Sequence, residues 1–357
     1  MSKRIKDNTR IKRKYLVWLK DAKGFSESSI DKAASAISTY ETFLKNSDFR
    51  SLHPERVRSF KRFLANLKNQ RTGAKLSEAT SDAILRDVKA FYMWLADQSG
   101  YRSKLKHSDA AYFSPARKSD QRRRGGCWRP HPSPQQVCHV LLNMPSETVF
   151  QRRNRALIAF LFLTGSRESA AISIRLNHID LSARCVHFDG RSVNTKFGKN
   201  FSTGFFPVGR HAISILSDWI EELKSKHYFG ATDPLFPKSK VGVGQSRRFE
   251  AIGLMREPWA RSSQAAKIFK AAFVNAGLPP FSPHLIRNTI AELAKDHCKT
   301  PEDYKAWSQN LGHDDVLTTF TSYGAVAAGR QMELMTGFRR NSGHVPIHTN
   351  SDVIDPA

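Results

Sequence analysis

Cysteine is scarce in this sequence, which contains only four in 357 residues, and no two of them form a CxxC pair. A disulfide framework is therefore not expected, and we expect the chain to work in a reducing compartment, by default the cytoplasm. Cys127, His131, Cys138 and His139 lie near one another, but their spacing fits no familiar zinc template. The sequence therefore predicts no metal site.

Long apolar runs are also missing. No stretch approaches the roughly 20 apolar residues that a membrane-spanning helix needs. The first residues lack the apolar core of an export signal. We therefore expect neither a membrane anchor nor export.

Acidic residues are too few to balance the basic ones: 32 Asp and Glu face 57 Lys and Arg, and the net charge is +25. Residues 1–130 hold 30 of these basic residues and 13 of the acidic ones, so most of the excess lies there. Such an excess is typical of proteins that bind a phosphate polyanion. A merely basic surface, as in ribosomal proteins, is the alternative.

Apolar periodicity predicts a first domain of amphipathic helices over residues 1–110. Helices are expected over 11–22, 30–43, 56–67 and 78–96, with Ser26 or Ser29 capping the second. Residues 1–14 are basic and polar, and we expect them to fray without a partner. Residues 99–132 have the composition of a linker, and we predict a basic linker over 111–132. It is either a solvated tether or a segment that follows a nucleic-acid backbone.

A second domain is predicted over 133–340, followed by a flexible tail over 341–357. Ser133 with Pro134 is a good helix start, and residues 155–164 are apolar nearly all round, as in a central core helix. Strands over 183–189, 192–195 and 201–208 predict a small antiparallel sheet. Helices are expected over 210–226 and 262–276, with a loop over 228–246. The fold class is therefore mainly α with a small antiparallel β-sheet.

Four residues near the C-terminal end carry groups suited to phosphate chemistry. His284 and Arg287 are three apart in a helical pattern, which predicts that both project from one face. His313 follows a Leu-Gly break, and Tyr323 precedes Gly324. Arg and His donors can stabilise the charge of a phosphoryl transition state, and a tyrosine oxygen can be the nucleophile. Taken singly, such residues are more often surface pairs or packing residues.

Two basic residues further upstream complete the set. Arg167 follows the apolar helix, where it either reaches a cleft or lies beside the last helix carbonyls. Lys196 falls at the predicted hairpin, where it is either a functional cation or a solvated turn charge. Lys199 is its rival.

The motifs TGSRES, HLIR, LGH and TTFTSYG, together with Lys196, occur in one order over most of residues 1–340. They resemble the tyrosine recombinase, or phage integrase, family. The resemblance implies a SAM-like core-binding domain at the N-terminus and a catalytic domain after it. The catalytic residues that it implies are Arg167, Lys196, His284, Arg287, His313 and Tyr323.

The resemblance also implies a reaction. Arg167 and Arg287 would clamp the scissile phosphate of double-stranded DNA with His313 as a further donor, and Tyr323 would form a 3′-phosphotyrosyl bond. Lys196 would protonate the leaving 5′ oxygen, and His284 would assist proton transfer or fix the phosphate. Neither ATP, metal nor another cofactor is implied. The chain would act as a homotetramer on DNA and be a monomer or weak oligomer without it, with a helix over 326–338 docking on a neighbour.

Three departures from the family pattern stand out. Ala170 occupies the position of a usual acidic residue, Tyr323 lies ten residues after His313, and Lys196 lies 29 residues after Arg167. A site-specific recombinase or integrase is the leading hypothesis. A topoisomerase or telomere resolvase with the same chemistry, and a DNA-binding protein that has lost catalysis, are the alternatives.

Overall fold

The computed structural model describes residues 3–45, 47–70, 72–115, 130–244, 247–313 and 331–333. The chain divides into two compact units, Met1–Gly125 and Gly126–Ala357. Each has its own hydrophobic core.

The first unit is helical, as the sequence predicted. Its helices are α1 (Lys3–Asp21), α2 (Glu27–Phe43), α3 (Pro54–Asn66), α4 (Glu78–Leu95) and α5 (His107–Ala111). Ser26 stands at the N-cap of α2, and Ser77 caps α4 by accepting a hydrogen bond from the Thr80 N–H. Helix α1 starts at Lys3, so the expectation that residues 1–14 fray is wrong for residues 3–14. The apolar residues Ile11, Tyr15 and Leu19 anchor this helix in the core.

Aromatic rings fill the first core. Tyr40 lies in edge-on contact with Phe60, Tyr92 and Phe113, at centroid distances of 4.7, 5.6 and 5.5 Å. Phe113 lies inside the segment 111–132 that was predicted as a linker, yet it is fully buried. The linker composition of residues 99–113 was misleading, because a few buried side chains in a polar segment are enough to fix it to the core.

The first described helix of the second unit starts where the sequence indicated, at Pro134. Its helices are α6 (Pro134–Asn143), α7 (Val149–Thr164), α8 (Glu168–Ala171), α9 (Arg210–Ser225), α10 (Ser263–Asn275), α11 (Ile286–His297) and α12 (Pro301–Asn310). Ser133 and Gln136 form a capping box at the start of α6. Every residue of α7 from Ala156 to Thr164 is buried, which confirms the predicted central helix.

A small antiparallel sheet packs on this core. Its strands are β1 (Ile179–Asp180), β2 (Cys185–Phe188) and β3 (Phe201–Gly204), in the order β1-β2-β3. The sheet confirms the prediction, but the strand expected over 192–195 is wrong. The N–H groups of Ser192 and Val193 turn back to Asp189 O, so this segment folds on itself instead of pairing with β2.

The loop expected over 228–246 is also wrong in part. Residues Pro237–Val243 form β4, which pairs with β5 (Phe249–Pro258) in a two-stranded hairpin. Most side chains of this hairpin are exposed, so burial imposes no apolar alternation on it. Its Gly, Pro and Lys content therefore looked like that of a loop.

Tyr323 and the tail over 341–357 lie outside the described residues, as does most of the helix predicted over 326–338, of which residues 331–333 are helical. Within the described part of the chain, no helix has the length and apolarity needed to cross a membrane.

Candidate phosphate-binding site

A tight turn after helix α7 sets the position of Arg167. Gly165 ends α7 with a left-handed φ of 56°, and Arg167 then becomes the N-cap residue of α8. A Cβ on Gly165 would lie 2.6 Å from Leu311 Cδ2, so a larger residue fits poorly there. The rigid core helix thus delivers one arginine to a fixed place beside the end of α12.

Arg287 lies beneath this turn. Only 5% of the residue is exposed, and its guanidinium donates to Gly165 O and, at 2.7 Å, to Leu311 O. Burial, and then the nearby charge of Arg167, lower the pKa of Arg287 to about 9. The arginine remains charged at neutral pH, and two neighbouring guanidinium groups favour an anion between them.

His284 does not share an exposed face with Arg287, contrary to the expectation from their spacing. It lies in a short 3-10 turn, Pro283–Leu285, just before α11, and it is exposed. Arg287, by contrast, points inward because the two backbone carbonyls bind its guanidinium. The two residues therefore differ in their surroundings although they are close on the chain.

Glu168 links the Arg167 turn to His284. Its carboxylate accepts the backbone N–H of His284 and lies near the charge of Lys270. Ser282, the N-cap residue of the Pro283–Leu285 turn, makes no side-chain cap bond, so Glu168 supplies an acceptor there from another element. A contact between residues 168 and 284 leaves no local signal in the sequence.

A cavity of about 200 Å³ brings three of the six predicted residues together, Arg167, Lys196 and His313. Its described lining residues are Arg167, Lys196, Phe197, Lys199, Asn200, Phe201, Gln309, Gly312 and His313. These side chains include three cations and a histidine, and no carboxylate is among them. The cavity is therefore suited to bind an anion.

A narrow cleft connects this group to the buried arginine. Arg167 and Lys196 line it together with Arg287 and Ala170. Ala170 is buried there, so an apolar methyl group stands where the family usually places an acidic residue. No carboxylate at that position offsets the charge of the two arginines.

The sheet and helix α12 are joined by three hydrogen bonds around Asn310. Its side chain bonds to the Gly204 N–H at 2.7 Å and to Gly204 O at 2.9 Å, and its carbonyl accepts from Thr203 Oγ1 at 2.9 Å. These bonds fix His313, three residues later, beside the hairpin that carries Lys196. Nothing in the sequence identified Asn310, because an Asn at a helix end commonly has a local role.

Lys196 and Lys199 both line the cavity, so its geometry leaves the choice between them open. Lys196 lies in the turn between β2 and β3, as predicted, with Nζ 4.8 Å from the ring centroid of Phe197. His284 is not among the described residues that line this cavity or the cleft. Tyr323 lies outside the described residues.

Comparison with known proteins places this site in a family context. The model of the phage integrase family matches residues 134–330, which is more than half of the chain. Among curated relatives, the tyrosine recombinase XerD of Neisseria meningitidis serogroup B is 26% identical over 186 residues, covering 52% of this chain and 55% of the relative. XerD of Oceanobacillus iheyensis is 23% identical over 305 residues, covering 85% and 89%. The chain thus spans about half the length of the Neisseria relative.

Solved structures show the same fold. XerH recombinase bound to a palindromic difH substrate in a post-cleavage complex aligns with a TM-score of 0.60 at 16% identity, covering 90% of this chain and 82% of the other. A lambda integrase tetramer bound to a Holliday junction aligns with a TM-score of 0.60 at 14% identity, covering 87% and 76%. With the family model spanning the residues that form the cationic cavity, the chain belongs to the phage integrase family of tyrosine recombinases.

Proposed function

We propose that this protein is a site-specific DNA recombinase that cuts and rejoins DNA strands through a 3′-phosphotyrosyl intermediate. The observation that carries the proposal is the cavity in which Arg167, Lys196, Lys199 and His313 converge, connected by a cleft to Arg287. A phosphodiester held between these donors gains stabilisation of the charge that develops on its non-bridging oxygens.

Each residue has a proposed role that fits its surroundings. Arg167 and His313 contact the phosphate oxygens from the cavity wall. Arg287 donates to Gly165 O in the turn that positions Arg167, and it adds positive charge from the buried side of the cleft. Tyr323 attacks the phosphorus through its phenol oxygen, and the cationic surroundings favour loss of the phenol proton.

The departing 5′ oxygen needs a proton, and a lysine on the β2–β3 hairpin supplies it. We assign this role to Lys196, whose position in the turn fits the resemblance, with Lys199 as the residue to compare. His284, exposed beside the carboxylate of Glu168, assists proton transfer or holds the phosphate. Attack by a 5′ hydroxyl of another strand reverses the step, so neither ATP, metal nor another cofactor is required.

DNA is the proposed partner, with a homotetramer as the active assembly. The relatives support this: XerH was solved on its difH substrate and lambda integrase as a tetramer on a Holliday junction. The net charge of +25 fits a polyanion. Residues 1–110 are the proposed core-binding domain and 133–340 the catalytic domain.

A nicked suicide duplex tests the proposal. Duplexes that bind the protein are first selected from a randomised pool. They are then nicked near the cleavage position, so that cleavage releases a short fragment with a 5′ hydroxyl, which diffuses away. We expect a covalent protein–DNA adduct that resists denaturant, forms in EDTA and is absent in Tyr323→Phe. Rejoining to a second duplex separates a recombinase from a topoisomerase.

A second candidate is a DNA-binding protein without catalysis. The buried Ala170 favours it, because the family's acidic residue is missing at that position. In that case the selected duplex binds with unchanged affinity in wild type and Tyr323→Phe, and neither forms an adduct.

A further inference from the structure

Phe197 stands out because it is an aromatic residue displayed to solvent inside the proposed site. It is 80% exposed, and its backbone adopts a left-handed conformation with φ 62° and ψ 23°. A bulky residue rarely takes such a conformation, and residues that do are found at turns and cluster at active sites and ligand clamps. Neither the exposure nor the backbone conformation is what folding alone would favour.

The turn that carries Phe197 is braced on several sides. Gly190 lies so close to the Gly198 backbone that there is no room for a Cβ, and the Gly190 N–H donates to Asn200 Oδ1 at 2.7 Å. The Asn194 N–H donates to Ser173 Oγ at 2.9 Å, and Ser169 Oγ donates to Asn194 O at 3.2 Å. Because Ser169 belongs to α8, the turn is tied to the helix whose N-cap residue is Arg167.

Phe197 forms one wall of the same cavity that Arg167, Lys196 and His313 line. The cavity therefore offers a cationic surface and a flat apolar surface side by side. A nucleotide presents the complementary pair, a phosphate and a planar base. A bare phosphate would leave the aromatic wall unused.

We propose that Phe197 forms a nucleobase subsite beside the scissile phosphate. Its ring stacks on the base of the nucleotide whose 5′ oxygen departs, next to the lysine that protonates that oxygen. Stacking orients this nucleotide for cleavage and then holds the released strand end once it has left its duplex, and it is tolerant of sequence because every base has a flat face. This inference rests on the proposed function and extends it to a strand-holding step.

Single-turnover cleavage of the suicide duplex tests the subsite. Two duplexes are compared. In one, the 5′-terminal nucleotide of the released strand carries its base, and in the other this nucleotide is an abasic site. Phe197→Ala is expected to slow adduct formation on the intact duplex by about tenfold or more, whereas Phe197→Trp stays within about threefold of wild type. The abasic duplex should slow wild type equally, and on it Phe197→Ala should have no further effect.

Phe249 provides a matched control. It is 82% exposed and lies in β5, outside the cavity. Phe249→Ala should behave as wild type on both duplexes. Equal slowing by Phe197→Ala on the intact and abasic duplexes would overturn the subsite in favour of a role in turn structure, and no slowing at all would overturn it as well. A loss of protein assembly independent of the base would assign Phe197 to a protein contact instead.

A binding measurement separates this inference from the proposed chemistry. The Tyr323→Phe variant is mixed with a gapped duplex that carries 2-aminopurine as the unpaired 5′ nucleotide. We expect a fluorescence change on binding. This change should be absent in the double variant that carries Phe197→Ala as well. If wild type forms no adduct but this change depends on Phe197, the proposed chemistry fails and the subsite stands; a change that is indifferent to Phe197 overturns the subsite.

Discussion

At the scale of single residues, the site depends on contacts that residue type alone does not reveal. HxxR spacing identified Arg287, but its guanidinium binds two backbone carbonyls inside the protein. Nothing in the sequence indicated the role of Glu168, because its partner, the N–H of His284, lies on a different element. Phe197 gave no signal, since an aromatic between basic residues resembles an ordinary turn. Of the six predicted residues, Arg167, Lys196, Arg287 and His313 line the cavity or its cleft, but the sequence did not indicate their orientation.

Replacing Arg287 should reduce both stability and adduct formation. Arg287→Ala leaves Gly165 O and Leu311 O without a donor, so the free energy of unfolding should fall by about 2 kcal/mol or more. Arg167 lies at a half-buried position in the cavity. Arg167→Ala should abolish the adduct but lower the free energy of unfolding by less than about 1 kcal/mol. Denaturant titration and the suicide-duplex assay measure the two effects. Equal stability of the two variants would contradict the bracing role of Arg287.

Glu168 should make stability depend on pH in a defined direction. Burial raises the pKa of this carboxyl, opposed by the His284 N–H and the charge of Lys270. Because the folded pKa lies above the unfolded one, the contribution is fully present below the unfolded pKa and is lost as pH rises through the folded pKa. Glu168→Gln should remove this slope, and it retains an oxygen to accept the N–H.

The matched change Glu168→Ala removes that acceptor. Like Glu168→Gln it should remove the slope, and relative to Glu168→Gln it should cost about 1 kcal/mol at every pH, as the loss of a helix cap does. Thermal unfolding between pH 4 and 8 separates the two variants. A wild-type profile whose Glu168-dependent part rises with pH would show that the sign is wrong.

At the scale of elements, apolar periodicity predicted the helices well and the extended segments poorly. The core helix α7 and the capping box of α6 could be predicted because burial and capping leave local patterns. The β4–β5 hairpin could not, because few of its side chains are buried. The prediction of a strand over 192–195 was wrong, because Val193 is buried within a turn and not in a strand. The local sequence therefore indicates which residues are buried better than it indicates which segments pair as strands.

The turn between α7 and α8 gives a prediction at this scale. Gly165→Ala adds left-handed strain and a Cβ against Leu311, so it should displace Arg167 and lower both stability and adduct formation. Gly277→Ala is the control, because Gly277 has φ 74° but a Cβ added there would meet no atom within 4 Å. The control should cost about 1 kcal/mol and leave cleavage intact. Equal cleavage by the two variants would show that the turn does not position Arg167.

At the scale of the whole molecule, charge is the property that follows most directly from composition. The excess of basic residues in 1–130 predicts binding in which phosphate counterions are released. The resemblance extended this to a family, and the family model over residues 134–330 confirmed it. The DNA sequence that the protein recognises does not follow from its charge, because phosphate contacts carry no information about the bases.

Salt dependence tests how the basic segment of the predicted linker is used. Arg122, Arg123 and Arg124 lie outside the described residues, and the sequence left two interpretations of them open. If they follow the DNA backbone, replacing all three with Gln should reduce the slope of log affinity against log salt by about 2 to 3. Binding of a selected duplex across a salt series measures the slope. An unchanged slope would make this segment a solvated tether.

The central claim is that the cationic cavity holds the phosphate that Tyr323 attacks. Mass spectrometry of the protein after reaction with the suicide duplex and nuclease digestion tests it most directly. We predict a 3′-linked nucleotide on the peptide that contains Tyr323, in wild type and not in Arg167→Ala. A nucleotide attached to another residue, or an adduct on Tyr323 that survives unchanged in Arg167→Ala, would contradict the account.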